Sequence, residues 1–337
     1  MIVEKNIPYC NAADYDQALN TLDIYFHSQR PGQRKKLIVV FIHGGGWSDG
    51  DKSFGKNTSL PKWFVDQGHI FVSVNFRLAQ NPRSPCATIC DMAKDIARAI
   101  KWLTINGRRY GGKNDGFVLL GYSSGAHLAA LISTDATFLS QLSLPSAIIK
   151  GTIVLDVPHL NIPDAMAIME TEEIGLPQQM QRLATLHKLF GSSRAEQEKF
   201  SPAAYLHPGT CHTSFLLITT GLVNGHQSSL SRRMAESFVQ LLRALGIEAE
   251  HRHFENLDHT GIIDRFAEVI SVSVLPFLEY INRRPEKDEV APAGDLAAPT
   301  KQPAVEGILS LRDKMAQRKR SKQAARKPRR AVLAGRS

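Results

Sequence analysis

The sequence has few cysteines and no long apolar run. Its four cysteines, Cys10, Cys86, Cys90 and Cys211, are too scattered among 337 residues for a disulfide framework, so we expect reduced, structural thiols. No stretch of about 18 apolar residues occurs, which predicts that the chain does not span a membrane. The first residues lack a basic region followed by an apolar stretch, so no secretory signal is expected. A cytoplasmic location is therefore the default expectation.

Acidic residues are scarce in one part of the chain only. Residues 312–337 hold eleven Lys or Arg and a single acid, a net charge of +10, whereas the whole chain carries +9. The remainder is therefore nearly neutral. From about Arg283 the composition shifts to Pro, Ala, Lys and Arg with few aromatics. We predict a folded domain over residues 1–282 and a basic, largely disordered tail over 283–337.

The tail has two interpretations. Arg318-Lys319-Arg320 and Lys327-Pro328-Arg329-Arg330 could contact nucleic acid, an anionic membrane surface or a nuclear import receptor. Interleaved aromatics for base stacking are lacking, which argues against specific RNA recognition. The alternative is a disordered tail that only adds solubility. The sequence does not indicate an oligomeric state.

Short apolar runs alternate with stretches of helical period, which predicts a mostly parallel sheet covered by helices on both faces, the α/β class. The predicted strands are 22–26, 37–42, 70–75, 117–120, 152–155, 214–219 and 248–254, and the clearest predicted helices are 90–104, 124–133 and 230–245.

Residues 158–200 interrupt this alternation of strands and helices with apolar residues at helical spacing. They predict a helical insertion that either shapes a substrate pocket like a lid or only packs as a connection.

A candidate nucleophile lies in Gly121-Tyr122-Ser123-Ser124-Gly125, which follows a predicted strand and opens a predicted helix. The two glycines allow a sharp turn in which backbone segments approach closely, with Ser123 exposed at its apex. Upstream, His43-Gly44-Gly45-Gly46-Trp47 follows another strand. The N–H groups of Gly45, Gly46 and Ser124 are candidate donors to an oxyanion. An ordinary glycine-rich loop is the alternative.

These motifs, together with Val74-Asn75-Phe76-Arg77-Leu78-Ala79, resemble the α/β-hydrolase superfamily over about residues 20–281. The similarity is greatest to the branch that holds small carboxylesterases, hormone-sensitive-lipase-like esterases and arylformamidases, whose His-Gly-Gly-any-Trp pattern residues 43–47 satisfy. The resemblance implies an α/β-hydrolase fold and a serine hydrolase that acts on a carboxylic ester or a formamide. It implies no cofactor and no metal.

The family places its general base after the last core strand, which corresponds to His259 in Asn256-Leu257-Asp258-His259-Thr260-Gly261. Of the other histidines, His127 fits a packed position on a helix. His251 and His253 share one face of a strand, but no carboxylate or Cys pattern there supports a metal site.

The acid of a triad is missing from its family position. The segment after the strand 214–219 reads Thr220-Gly221-Leu222-Val223-Asn224-Gly225, and no Asp or Glu occurs between Glu198 and Glu236. Three interpretations stay open: Asn224 orients the histidine through its amide oxygen, Asp156 supplies a carboxylate from the neighbouring strand end, or the triad is degenerate.

The sequence thus predicts an acyl-enzyme on Ser123 with His259 as general base and Asn224 at the acid position. The substrate would be a small ester, with a formamide or other amide as second choice. A non-catalytic or attenuated binding protein of the same fold is the alternative, because the acid is absent from its usual place.

Overall fold

A single sheet forms the centre of the protein. The computed structural model describes residues 1–10, 16–28, 36–56, 58–79, 87–171, 177–223, 226–227 and 229–283. Within these residues the strands are β1 (Ile2–Pro8), β2 (Thr21–Phe26), β3 (Lys36–Ile42), β4 (Ile70–Val74), β5 (Gly112–Tyr122), β6 (Ile149–Leu155), β7 (Ser214–Val223), β8 (His226–Gln227) and β9 (Ala249–Asp258).

The strand order is β1-β2-β4-β3-β5-β6-β7-β8, and β9 also pairs with β7. The six strands β4, β3, β5, β6, β7 and β9 run parallel to one another. Strands β1, β2 and β8 pair antiparallel with their neighbours. Because β3, β5, β6 and β9 are parallel, the loops that follow them emerge at the same edge of the sheet.

Helices cover both faces of the sheet. They are α1 (Ser53–Lys56), α2 (Leu60–Asp66), α3 (Ile89–Asn106), α4 (Ser124–Thr134), α5 (Thr137–Ser140), α6 (Ile162–Thr171), α7 (Pro177–Phe190), α8 (Arg194–Glu198), α9 (Leu230–Ala244), α10 (Gly261–Asp264) and α11 (Ser271–Arg283). Strand β3 shows how the layers form: Ile38, Val40 and Ile42 pack with α3 and α4. The alternate side chains of the same strand pack with α2, α10 and α11 on the opposite face. Apolar residues on both faces of a strand are typical of a buried parallel sheet.

The predicted α/β class is confirmed, and each predicted strand coincides with an observed one. The sequence pattern does not predict β1, because this edge strand is half-exposed and lacks a clear apolar run. Strand β9 extends beyond the predicted end at Phe254 to Asp258, although its outer half is largely exposed. This polar stretch remains a strand because β9 pairs with β7 as far as Asp258.

Between β6 and β7 the described residues form the helices α6, α7 and α8. Among the described residues, no helix is both long and apolar enough to cross a membrane. The predicted tail over 283–337 lies outside them, apart from Arg283 at the end of α11.

Candidate active site

Ser123 lies at the turn between β5 and α4 and has the strained backbone that its motif predicts. Its φ is 54° and its ψ is −124°, a conformation that non-glycine residues rarely adopt. Its N–H donates to the carbonyl of Leu155 at 2.9 Å. A Cβ on Gly121 would overlap the backbone of Ala126, and one on Gly125 would overlap the backbone of Ile42. Both flanking glycines are therefore required by close approach of the backbone.

His259 lies between Ser123 and a buried carboxylate. It follows the end of β9, and its Nε2 lies 3.0 Å from Ser123 Oγ. Its Nδ1 lies 2.6 Å from Asp156 Oδ2. With the ring proton on Nδ1, the imidazole donates to Asp156 and accepts from the Ser123 hydroxyl. This is the tautomer that a general base for the serine requires.

The carboxylate comes from Asp156, which directly follows β6. Its φ is 50°, and its N–H donates to the Ile218 carbonyl at 2.8 Å. Its Oδ1 accepts from the Thr220 N–H at 3.1 Å and its Oδ2 accepts from the Thr220 hydroxyl at 2.8 Å. Asp156 is only 3% exposed. The charge is therefore satisfied by Thr220 and His259 instead of water.

Asn224, which the sequence places at the acid position, lies outside the described residues. The contact that it was expected to make, to His259 Nδ1, is made by Asp156. Thr220, which holds this carboxylate, is a residue that sequence reasoning misses. A threonine near the end of a strand carries no distinctive pattern, and its partner is 64 positions away along the chain.

The glycine-rich loop after β3 lies beside the serine. Gly45 has a φ of 127° and Gly46 a φ of 60°, which turn the backbone sharply. A Cβ on Gly44 would lie 3.0 Å from the Cβ of Ser123, so the loop and the serine are in close contact. Ser124 is the first residue of α4, where the N–H has no acceptor within the helix. The glycine-rich loop therefore packs against the turn that carries Ser123, with Gly44 in contact with the serine.

Buried polar groups fix the far end of this loop. Lys52 N–H donates to the Asn75 side chain, and the Lys52 ammonium lies 3.2 Å from Asp23 Oδ1 with both side chains more than 90% buried. The Lys52 carbonyl accepts from the Ser73 hydroxyl at 2.8 Å. Removing one partner of such a buried pair is costly, so these contacts stabilise the far end of the loop.

Trp47 at the end of the glycine motif is held by His127 of α4. The Trp47 Nε1–H donates to His127 Nδ1 at 3.2 Å, and His127 Nε2 donates to the Phe200 carbonyl at 2.7 Å. Burial lowers the pKa of His127 to about 4, so the ring stays neutral and both bonds persist near neutral pH. His127 is therefore a packed helix residue, as the sequence predicts, and it connects the loop to the segment after α8.

Other polar residues of the motifs have structural contacts. Arg77 forms a bidentate pair with Asp95 at 2.8 Å for both bonds. His251 and His253 both contact the Thr219 hydroxyl, at 2.8 and 2.9 Å. Within the part of the chain that the structure describes, no cluster of His, Cys, Asp and Glu has the arrangement of a metal site.

The sequence matches one family model and several curated proteins. A model described as BD-FAE matches residues 22–216, which is more than half of the chain. The isoprenylcysteine alpha-carbonyl methylesterase of Arabidopsis thaliana is 27% identical over 249 residues, covering 73% of this chain and 55% of that protein. Esterase LipQ of Mycobacterium tuberculosis is 33% identical over 117 residues, covering 35% of this chain and 26% of that protein. The chain spans between 27% and 58% of the length of the first three curated relatives.

The fold also matches solved esterase structures. Esterase B from Lactobacillus rhamnosis superposes with a TM-score of 0.64 and 19% identity, covering 83% of this chain and 85% of that chain. This likeness supports the α/β-hydrolase architecture predicted from the two motifs.

Proposed function

We propose that this chain, which belongs to the BD-FAE family, is a serine hydrolase of small carboxylic esters. The observation that carries the proposal is the continuous contact from Ser123 Oγ through His259 to Asp156, at 3.0 and 2.6 Å. Relatives named as esterase and methylesterase favour an ester as substrate.

Acylation begins when Ser123 Oγ attacks the ester carbonyl while His259 Nε2 accepts its proton. The Asp156 carboxylate holds the imidazole in the correct tautomer and stabilises the imidazolium that forms. We assign the acid to Asp156 instead of Asn224, because a carboxylate stabilises this positive charge and an amide does not. His259 then returns the proton to the departing alcohol oxygen.

The negative charge on the carbonyl oxygen requires donors that are already oriented. We assign this function to the N–H groups of Gly45, Gly46 and Ser124. In support, the loop that carries the two glycines packs against Ser123 through Gly44, and Ser124 lies at the positive end of the α4 dipole. In the second half of the reaction His259 takes a proton from water, the hydroxide attacks the acyl-enzyme, and Ser123 leaves with that proton. No cofactor is needed for either step.

A formamide is the second substrate class, because Trp47 completes the His-Gly-Gly-any-Trp pattern of arylformamidases. The same nucleophile would transfer the formyl group, and His259 would protonate a departing amine instead of an alcohol. Comparing a phenyl ester with the matching formanilide distinguishes the two classes by kcat/KM. We expect the ester to be cleaved faster.

A fluorophosphonate probe tests the proposal directly. We expect it to label the wild-type protein and the exposed-serine control Ser140→Ala, but not Ser123→Ala. Ester hydrolysis should fall with the labelling, by at least about 10³-fold, since the covalent pathway is lost. Absence of labelling in the wild type, or labelling of Ser123→Ala equal to the control, would instead support a non-catalytic binding protein.

The charge of residues 312–337 supports a second, separate function. Eleven cationic side chains with one acid attract an anionic surface. We expect the full chain to bind anionic vesicles with an affinity that falls as salt increases. A chain ending at Arg283 should lose this binding and retain ester hydrolysis. Equal binding by both chains would refute a role for the tail.

A further inference from the structure

Tyr122, the residue before Ser123, contacts the histidine of the site twice. Its phenol hydroxyl donates to the backbone carbonyl of His259 at 2.9 Å. Its ring stacks on the His259 imidazole, with centroids 5.0 Å apart and planes 29° apart. One side chain thus holds both the backbone and the ring of the same residue.

The Tyr122 ring is itself well fixed. It is 6% exposed, and it stacks with Phe54 at 5.6 Å and an interplanar angle of 9°. A Cβ on Gly44 would lie 3.0 Å from its Cδ1, so the glycine-rich loop packs against it. Tyr122 therefore has little freedom to move, and it restrains the residues that it contacts, His259 among them.

The phenol of Tyr122 remains protonated, and so remains a donor, near neutral pH. Burial raises the pKa of Tyr122 well above its ordinary value, and the nearby carboxylates of Asp156, Asp264 and Asp258 raise it further. A hydroxyl whose pKa is raised keeps its proton available for the His259 carbonyl.

His259 needs such a contact because its own surroundings are open. Its side chain is 37% exposed, and it lies in the short connection between β9 and α10. Its hydrogen bonds to Ser123 and Asp156 lie in the plane of the ring, where they leave tilting and backbone movement less restrained. The Tyr122 ring restrains the face of the imidazole and its hydroxyl restrains the backbone.

We infer that Tyr122 is the positioning residue for His259: it fixes the general base so that Nε2 stays directed at Ser123 throughout the reaction. The inference rests on the proposed function for its kinetic consequence, but the positioning itself is a property of the fold. The stack also places the electron-rich ring face against the imidazolium that forms during acylation. Neither contact involves the substrate.

Kinetics of Tyr122→Phe test this positioning, since the variant keeps the ring and removes only the hydroxyl. Tyr25→Phe is the matched control, because the Tyr25 hydroxyl is buried with no hydrogen-bond partner among the described residues. We expect Tyr122→Phe to lower kcat about tenfold with KM within about twofold, since small misplacement of a reacting group is costly in rate. Tyr25→Phe should match the wild type. Equal kcat in all three proteins would overturn the inference.

A second measurement does not depend on catalysis. The low-field NMR signal of the proton between His259 Nδ1 and Asp156 reports the geometry of that hydrogen bond in each protein. We expect it to be shifted or broadened in Tyr122→Phe and unchanged in Tyr25→Phe. An unchanged signal in Tyr122→Phe refutes positioning by the hydroxyl even if the protein hydrolyses esters. If the signal changes in Tyr122→Phe but the wild-type protein hydrolyses no ester, the proposed function is refuted and the positioning of His259 by Tyr122 is retained.

Discussion

At the scale of single residues, Asp156 illustrates how a side chain reaches the site from an unexpected strand. Its positive φ of 50° turns the carboxylate back toward the neighbouring strand end, where Thr220 and His259 contact it. The sequence alone gives Asp156 as one of three alternatives for the acid of the triad. A backbone dihedral and the convergence of two loops cannot be recognised from a pattern of residues. Asp tolerates this left-handed conformation better than most residues do.

Changing the carboxylate to an amide tests this assignment. We expect Asp156→Asn to lower kcat by about 10⁴-fold, because the amide favours the wrong tautomer of His259 and carries no charge. Asn224→Ala is the comparison variant, with a kcat expected to remain within about twofold of wild type. Steady-state ester hydrolysis with fluorophosphonate titration of active sites measures both. A large loss in Asn224→Ala with little loss in Asp156→Asn would return the acid function to Asn224.

At the scale of elements, the sequence predicts the sheet well because burial on both faces leaves runs of apolar residues such as 37–42. It also predicts which loops meet, since parallel strands end at one edge and Ser123, His259 and the glycine motif each follow a strand. The sequence does not predict an element whose structure depends on strand pairing alone. Strand β1 and the outer half of β9 lack a clear apolar run, and their strand structure comes from pairing with β2 and β7.

The glycine-rich loop provides a prediction at this scale. Gly45 has a φ of 127°, and a Cβ there would overlap the backbone of Asp49, whereas a Cβ on Gly46 would meet nothing within 4 Å. Gly45→Ala should distort the loop and lower kcat by about 10²-fold or more, as loss of an oxyanion donor does.

Gly46→Ala is the matched control for this change. It carries only the left-handed strain of its φ of 60°, about 1–2 kcal/mol. Its kcat should fall much less than that of Gly45→Ala, while its melting temperature decreases modestly. Equal kcat losses in the two variants would show that the orientation of the oxyanion donors does not depend on the close approach of Gly45 to the backbone of Asp49.

At the scale of the whole molecule, buried neutral histidines couple stability to pH. Burial lowers the pKa of His69 and of His127 to about 4 in each case, and nearby Lys36 contributes at His69. Burial also lowers the pKa values of His43, His159 and His251. In the unfolded chain these rings have the ordinary value of 6.5, so the unfolded state binds protons first as the pH falls.

The free energy of unfolding should therefore be largest above about pH 6.5 and decrease as the pH falls from there toward 4, by up to about 1.4 kcal/mol per pH unit for each such histidine. Urea unfolding at pH 7.5, 6 and 5 measures this slope. His69→Leu keeps the site apolar and removes one proton-binding group, so its slope should be shallower than that of the wild type. If His69→Leu and wild type lose stability in parallel, the acid sensitivity arises from groups other than the buried ring of His69.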